Sequence, residues 1–117
     1  MTNQKCSILV DGVVYVPEQD VPMAENYTIV RTYSAGVFAG ELESRNGKEV
    51  VLRNARRIWK WSGAASLSQL AMEGTKNPND CKFPCEVDTI TLTEATEIIP
   101  CTQQAQESIK GVPIWAQ

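Results

Sequence analysis

The sequence predicts an α+β domain: a mainly antiparallel β-sheet with a short helix and a C-terminal helix. Two observations carry this prediction. Short β-type runs separated by turn residues fill the first half of the chain. A helical stretch, two further strands and a last helix follow, an order typical of α+β domains. A chain of 117 residues supports one modest core, so we expect a single domain over 1–117, with 1–5 flexible.

The first elements are predicted from turn residues. Asp11-Gly12 separates two short apolar runs, 7–10 and 13–16, as in a β-hairpin with a two-residue turn. The stretch 17–24 contains two prolines and is interpreted as a loop, and β-type residues resume over 27–33.

Asn46-Gly47 is the strongest hairpin signal in the chain. A turn centred on these two residues places Arg45 opposite Lys48 and, in the same register, Gly36 opposite Arg57. A glycine beside an arginine would leave room for a flat ligand, unless the register breaks at Asn54.

Capping residues predict the two helices. Ser66-Leu67-Ser68-Gln69 has the form of a capping box, and Gly74 stands where a glycine ends a helix. Thr102 is the expected N-cap of a last helix over 103–110. Between the helices we expect a surface loop over 75–84 and strands over 87–93 and 96–99.

Composition excludes several classes of protein. A net charge of -3 argues against binding duplex nucleic acid, and no apolar stretch is long enough to span a membrane. The first residues lack the apolar run of a secretory signal, so a cytoplasmic location is expected. Without any histidine the usual general base is missing, so we expect a binding protein and not an enzyme.

Four cysteines leave two interpretations. Cys81 and Cys85 are spaced as zinc ligands can be, and Cys6 and Cys101 would complete a set of four thiolates. The last two lie far away in the sequence, so reduced thiols are the preferred interpretation. We expect no metal and no cofactor.

The most informative stretch is Arg56-Arg57-Ile58-Trp59-Lys60-Trp61. In an extended chain Arg57 and Trp59 share one face, and Arg56 and Lys60 share the other. Guanidinium groups beside indoles suit a flat anionic ligand such as a nucleotide. The structural alternative is that the tryptophans are core and the arginines extend to water. Both faces of the segment 50–61 carry apolar groups, so we also expect a homo-oligomer that covers the second face.

Four segments resemble a family of small bacteriophage proteins, most of them known only as an uncharacterised domain. These segments are 30–37 (VRTYSAGV), 55–64 (ARRIWKWSGA), 66–70 (SLSQL) and 97–102 (EIIPCT), and the resemblance covers about residues 27–115. Size, strand content and the arginine–aromatic motif are also similar to the first-described Thoeris anti-defence proteins. Those phage sponges are homo-oligomers that sequester cyclic ADP-ribose isomers made by bacterial TIR enzymes, and related members trap cyclic di- and trinucleotides.

The resemblance implies a sponge that holds a cyclic nucleotide intact in the cytoplasm of the infected bacterium, in pockets between subunits. It implies arginines on phosphates and an aromatic ring stacked on adenine. On this chemistry the candidate ligand-binding residues are Arg56, Arg57, Phe83, Arg31, Tyr33 and Trp59. Structural alternatives are a surface salt bridge for Arg31, a strand position for Tyr33 and a core position for Phe83. The alternative function is a protein-interaction module that inhibits a host protein through an aromatic and arginine patch.

Overall fold

The computed structural model describes residues 8–10, 13–15 and 22–116. Strands β1 (Ile8–Val10) and β2 (Val13–Tyr15) pair antiparallel with Leu9 opposite Val14, which confirms the first predicted hairpin. The segment expected to be flexible, 1–5, and most of the loop predicted over 17–24 lie outside the described residues.

Five strands form the main sheet, and every neighbouring pair is antiparallel. Together with two helices they confirm the predicted fold class. The strand order is β6-β5-β4-β3-β7. In chain order the elements are β3 (Met23–Thr32), β4 (Val37–Asn46), β5 (Glu49–Arg57), α1 (Leu67–Glu73), a 3₁₀ helix (Pro78–Asp80), β6 (Val87–Leu92), β7 (Ala95–Thr102) and α2 (Gln103–Lys110). No helix in these residues is long and apolar enough to cross a membrane.

The sheet curls strongly because its two edge strands are consecutive in the chain. β6 ends at Leu92 and β7 begins at Ala95. The Cα atoms of these two residues are three steps apart along the chain, so the distance between them is at most about 11 Å. In a flat sheet the four strand spacings between these edges would add up to about 19 Å. The Ala95 N–H also donates at 3.0 Å to the carbonyl oxygen of Lys48, the residue immediately before β5. The edges therefore approach each other at this end.

The inside of the curl holds one of two apolar clusters. Its buried members come from β3, β4, β5 and β6 and are Val30, Phe38, Val50, Leu52, Ala55 and Leu92. Side chains on the second face of β5 are thus buried within one chain. The observation that led us to expect a homo-oligomer is explained by curvature, and self-association stays a prediction.

The second cluster lies on the outer face, where α1 and α2 pack on β3 and β7. Ser66 caps α1 by accepting a hydrogen bond from the Gln69 N–H at 3.1 Å, and Thr102 caps α2 by accepting from the Ala105 N–H at 3.0 Å. Gly74 ends α1 with φ +78°, a conformation that side chains rarely adopt. Both predicted helices and their caps are confirmed.

The predicted register of the β4–β5 hairpin is wrong by one turn position. Asn46 pairs with Glu49, so the two turn residues are Gly47 and Lys48. Gly47 takes the first turn position with φ +63°, where the primed hairpin turns favour glycine. The register also shifts between Arg53 and Arg56, where Asn54 has φ +50°, which confirms the anticipated break at Asn54.

Candidate functional site

An arginine and a carboxylate meet on the outer face of the sheet, beside α1. Arg31 on β3 lies directly opposite Glu97 on β7, and their Nη1 and Oε1 atoms are 3.7 Å apart. The two side chains are 59% and 51% exposed, so they form a surface ion pair of low net strength. This is the salt bridge anticipated as the structural alternative for Arg31.

Arg31 and Glu97 form one side of a groove of about 450 Å³, and Trp61 lies on its wall. The chain after β5 follows β4, because the Ile58 N–H donates to the carbonyl oxygen of Val37 at 2.8 Å. This path carries Trp61 over the sheet, where it packs partly buried against the outer core. The remaining lining residues are Val37, Leu67 and Ser68, the last two from the first turn of α1. We call this depression the Arg31 groove.

A second recess of about 440 Å³ adjoins the Arg31 groove and shares Arg31 and Glu97 with it. It adds Thr32, Thr96 and Tyr33, whose residue surface is 81% exposed. The Thr96 hydroxyl donates to the carbonyl oxygen of Arg31 at 3.0 Å. The Tyr33 N–H is held by the carbonyl oxygen of Glu94 at 3.0 Å. The backbone around this recess is therefore fixed, and the tyrosine ring stands in solvent.

Arg56 lies elsewhere, buried in the protein with only 2% of its surface exposed. Its guanidinium donates three hydrogen bonds to carbonyl oxygens: Nε to Pro84 at 2.8 Å, Nη1 to Ile109 at 2.8 Å and Nη2 to Phe83 at 2.9 Å. Burial lowers the pKa of Arg56 below its ordinary value. All three nitrogens thus bind the protein's own backbone, which corrects the expectation that Arg56 contacts a phosphate.

Phe83 belongs to the same buried arrangement. It is fully buried, and its ring centroid lies 5.5 Å from the guanidinium carbon of Arg56. The core alternative for Phe83 is therefore correct, and a stacking role on a bound base is not available to a ring without exposed surface. The loop predicted over 75–84 is anchored by this side chain and by the buried thiol of Cys81. Cys101 is also a buried free thiol, Cys85 is an exposed one, and Cys6 lies outside the described residues.

Arg57 points to the opposite side of β5 from Arg56, as strand alternation predicted. Its guanidinium carbon lies 4.4 Å from the ring centroid of Phe38, its cross-strand partner. Its Nη1 donates to the carbonyl oxygen of Ala35 at 2.6 Å. Gly36 was predicted to be the cross-strand partner of Arg57, but that partner is Phe38. Gly36 nevertheless lies close to the Arg57 side chain, since a Cβ built on Gly36 would be 3.4 Å from Nη1. Arg57 is half-buried, so part of its guanidinium remains accessible.

Trp59 lies beyond the end of β5, and its surface is 64% exposed. Its backbone N–H donates to the carbonyl oxygen of Lys82 at 3.0 Å, and Trp59 is not among the residues that line the Arg31 groove. The six predicted site residues are therefore divided. Arg31 and Tyr33 share one recess, Arg56 and Phe83 share the core, and Arg57 and Trp59 occupy separate places.

Sequence reasoning missed the contributions of Thr96, Glu97 and Ser68 to this site. Pairing between β3 and β7 brings Thr96 and Glu97 next to Arg31, although they are more than sixty residues away in the sequence. No local sequence pattern predicts that pairing. Trp61 was singled out only as part of the arginine–tryptophan stretch, and its place beside Arg31 follows from the path of the chain after β5. The alternation of Arg31 with Tyr33 was the one usable signal.

The Arg31 groove combines chemical groups that suit a phosphorylated heterocycle. A guanidinium binds phosphate oxygens through paired N–H donors, and an indole offers a flat surface for a base. A carboxylate accepts hydrogen bonds from sugar hydroxyls. The groove and the adjoining recess together fall within the volume range of small-molecule sites.

Comparison with known proteins gives one match. The profile of a protein family described as a domain of unknown function, DUF6948, matches residues 25–109. No curated protein and no solved structure matches the chain. The matched segment contains most of β3, all of β4 to β7 and nearly all of α2, and it includes every residue that lines the Arg31 groove.

Proposed function

The chain belongs to the family described as domain of unknown function DUF6948, and we propose that it binds a cyclic nucleotide in the Arg31 groove and keeps it intact. The first ligands to test are cyclic ADP-ribose isomers, followed by cyclic di- and trinucleotides. In this proposal the protein is a bacteriophage sponge that removes an immune signal from the cytoplasm of an infected bacterium.

One observation carries the proposal: Arg31 and Trp61 line the same groove from neighbouring segments of the outer face. A base stacked on an aromatic side chain contributes about 1–3 kcal/mol. A charge-assisted hydrogen bond from a guanidinium to phosphate adds about 1.5–3 kcal/mol. Together these two contacts supply several kcal/mol of binding free energy before any ribose contact is counted.

The surface ion pair favours exchange of partners at Arg31. An exposed pair of this kind contributes about 0–1 kcal/mol, so a phosphate can displace Glu97 from the guanidinium at little cost. The released carboxylate is then free to accept hydrogen bonds from ribose hydroxyls. Thr96 and Tyr33 in the adjoining recess offer further hydroxyl groups to the same ligand.

Capture without turnover agrees with the composition of the chain. A protein without histidine lacks the side chain that most often moves protons near neutral pH. A sponge needs affinity alone, so this composition does not hinder the proposed function.

A protein-interaction module is the second candidate. Trp59 and Ile114 are 64% and 65% exposed, and large apolar side chains at the surface often anchor protein partners. Neither residue lines the Arg31 groove, so the two candidate functions predict different sensitive residues.

Titration calorimetry with cyclic ADP-ribose isomers and cyclic dinucleotides tests the proposal, and chromatography of the heated complex tests whether the ligand is recovered unchanged. Arg31→Ala and Trp61→Ala are each expected to weaken binding by at least tenfold. Arg53→Ala is the matched control, since Arg53 is equally exposed and pairs with Glu43 at 3.3 Å.

The proposal fails if no cyclic nucleotide binds, or if Arg31→Ala and Arg53→Ala reduce affinity equally. Recovery of a cleaved ligand would indicate an enzyme in place of a sponge. Loss of a host-protein interaction on Trp59→Ala, with no nucleotide binding, would favour the interaction module.

A further inference from the structure

Two lysines face each other directly at the end of the molecule that carries Trp59. Lys60 and Lys82 form an antiparallel bridge, in which the Lys82 N–H donates to the Lys60 carbonyl at 2.8 Å and the Lys60 N–H donates back at 3.3 Å. In such a pair the Cα atoms are about 5.5 Å apart and both side chains leave on the same face. The two lysine side chains therefore start from directly opposite positions on one face.

This pairing is unfavourable by itself. Like charges directly opposite each other destabilise a pair of strands, and an acidic partner usually compensates them. In the part of the chain that the structure describes, no carboxylate lies within 4.0 Å of either ammonium group. The chain as a whole is acidic, with a net charge of -3, so a general excess of lysine does not explain the pair.

An indole completes the arrangement. The Nζ atom of Lys82 lies 5.4 Å from the ring centroid of Trp115, within the range of a cation–π contact. The segments that carry both side chains are joined, because the backbone N–H of Trp115 donates to the carbonyl oxygen of Phe83 at 3.0 Å.

The scaffold beneath these groups is rigid. Phe83, next to Lys82, is fully buried, and Arg56 donates to the carbonyl oxygens of both Phe83 and Pro84. The two ammonium groups and the indole are therefore presented from a fixed backbone, which reduces the entropy lost when a ligand binds.

We propose that Lys60, Lys82 and Trp115 form a second binding site, which takes a phosphate monoester carried on an aromatic or other flat group. Two ammonium groups match the two charges that a monoester carries above its second pKa of about 6. The indole contacts the flat group, and the bound phosphate relieves the repulsion between the lysines. None of these three residues lines the Arg31 groove.

Phenyl phosphate is the probe, compared with inorganic phosphate and with sodium chloride at the same ionic strength and pH 8. We expect the melting temperature to rise most with phenyl phosphate, less with phosphate and least with chloride. Indole N–H signals in an NMR titration locate the site, and Trp115→Phe assigns the resonance of Trp115, which is expected to shift.

Lys82→Gln is expected to weaken phenyl phosphate binding by at least tenfold. Lys76→Gln, which removes an exposed lysine outside the proposed site, is expected to leave it unchanged. Lys60→Gln is expected to weaken binding similarly and to raise the melting temperature of the free protein by about 1–4 °C, because it removes the like-charge contact.

The inference is overturned if chloride stabilises the protein as much as phenyl phosphate does, if Lys76→Gln and Lys82→Gln behave alike, or if the Trp115 indole signal stays in place. Its failure is distinguishable from failure of the proposed function. The groove is probed with cyclic nucleotides and Arg31→Ala, and neither Lys60→Gln nor Lys82→Gln alters that groove.

Discussion

Replacing Arg56 with alanine tests whether this arginine holds the fold together. The substitution removes three hydrogen bonds to carbonyl oxygens of Phe83, Pro84 and Ile109. The oxygens of Phe83 and Ile109 keep a backbone N–H donor each. The oxygen of Pro84, a half-buried residue, loses the donor that Arg56 supplied, at a cost of about 1 kcal/mol.

Two further contributions determine how much Arg56→Ala changes the free energy of unfolding. The truncated side chain leaves a cavity between β5, the loop at Phe83 and α2, which costs about 2 kcal/mol or more. Removing a buried charge returns part of its desolvation penalty. We therefore expect Arg56→Ala to lower the free energy of unfolding by about 3 kcal/mol, or the melting temperature by about 12 °C for a domain of this size.

Chemical denaturation followed by circular dichroism measures this loss, with Arg57→Ala as the neighbouring control. Arg57 is half-buried and gives up one hydrogen bond and one contact with Phe38, so its replacement is expected to cost about 1 kcal/mol. An Arg56→Ala protein that melts within about 3 °C of the parent would refute the structural role. If that protein also lost nucleotide binding, Arg56 would be a ligand contact after all.

Three other predictions concern stability. Gly74→Ala is expected to lower the free energy of unfolding by more than 2 kcal/mol, because φ is +78° and a Cβ would lie 2.3 Å from a side chain of α2. Gly47→Ala, at φ +63° with nothing within 4 Å of the new Cβ, is expected to lower it by about 1 kcal/mol. Urea denaturation compares the two variants. Thr102→Val removes both the cap of α2 and a 2.7 Å hydrogen bond to α1, so a loss of about 2 kcal/mol is expected in the same assay, and an unchanged midpoint would contradict it. Burial raises the pKa of Cys101 from 9.0 to about 12, so its thiol ionises first in the unfolded chain. Unfolding free energy should then fall as pH rises above about 9, and Cys101→Ala should flatten that pH dependence.

Elements with a local cause were predictable from the sequence. The caps at Ser66 and Thr102 and the pairing of β1 with β2 depend on residues within a few positions of one another, and the structure agrees with each prediction. The β4–β5 turn shows the limit of such patterns. Asn46-Gly47 and Gly47-Lys48 both place a glycine at a central turn position, and the register between the long strands selects one of them.

Long-range contacts decided the site, and sequence patterns do not contain them. Alternation predicted that Arg56 and Arg57 face opposite ways, but not which of them enters the core. That outcome depends on the carbonyl groups of the loop at Phe83 and of α2, which lie far along the chain. In the same way, Glu97 reaches Arg31 only through the pairing of β3 with β7.

The two-residue link between opposite edges of the sheet also constrains how the chain folds. β6 and β7 are adjacent in sequence, yet they form opposite edges of the sheet. β6 pairs with β5 and β7 pairs with β3, and the two do not pair with each other. The meander of β3, β4 and β5 pairs strands that are neighbours in sequence, whereas β6 and β7 join it through longer stretches of chain. We expect this three-stranded unit to nucleate folding, with the last two strands and α2 closing onto it late and slowly, as distant contacts generally do.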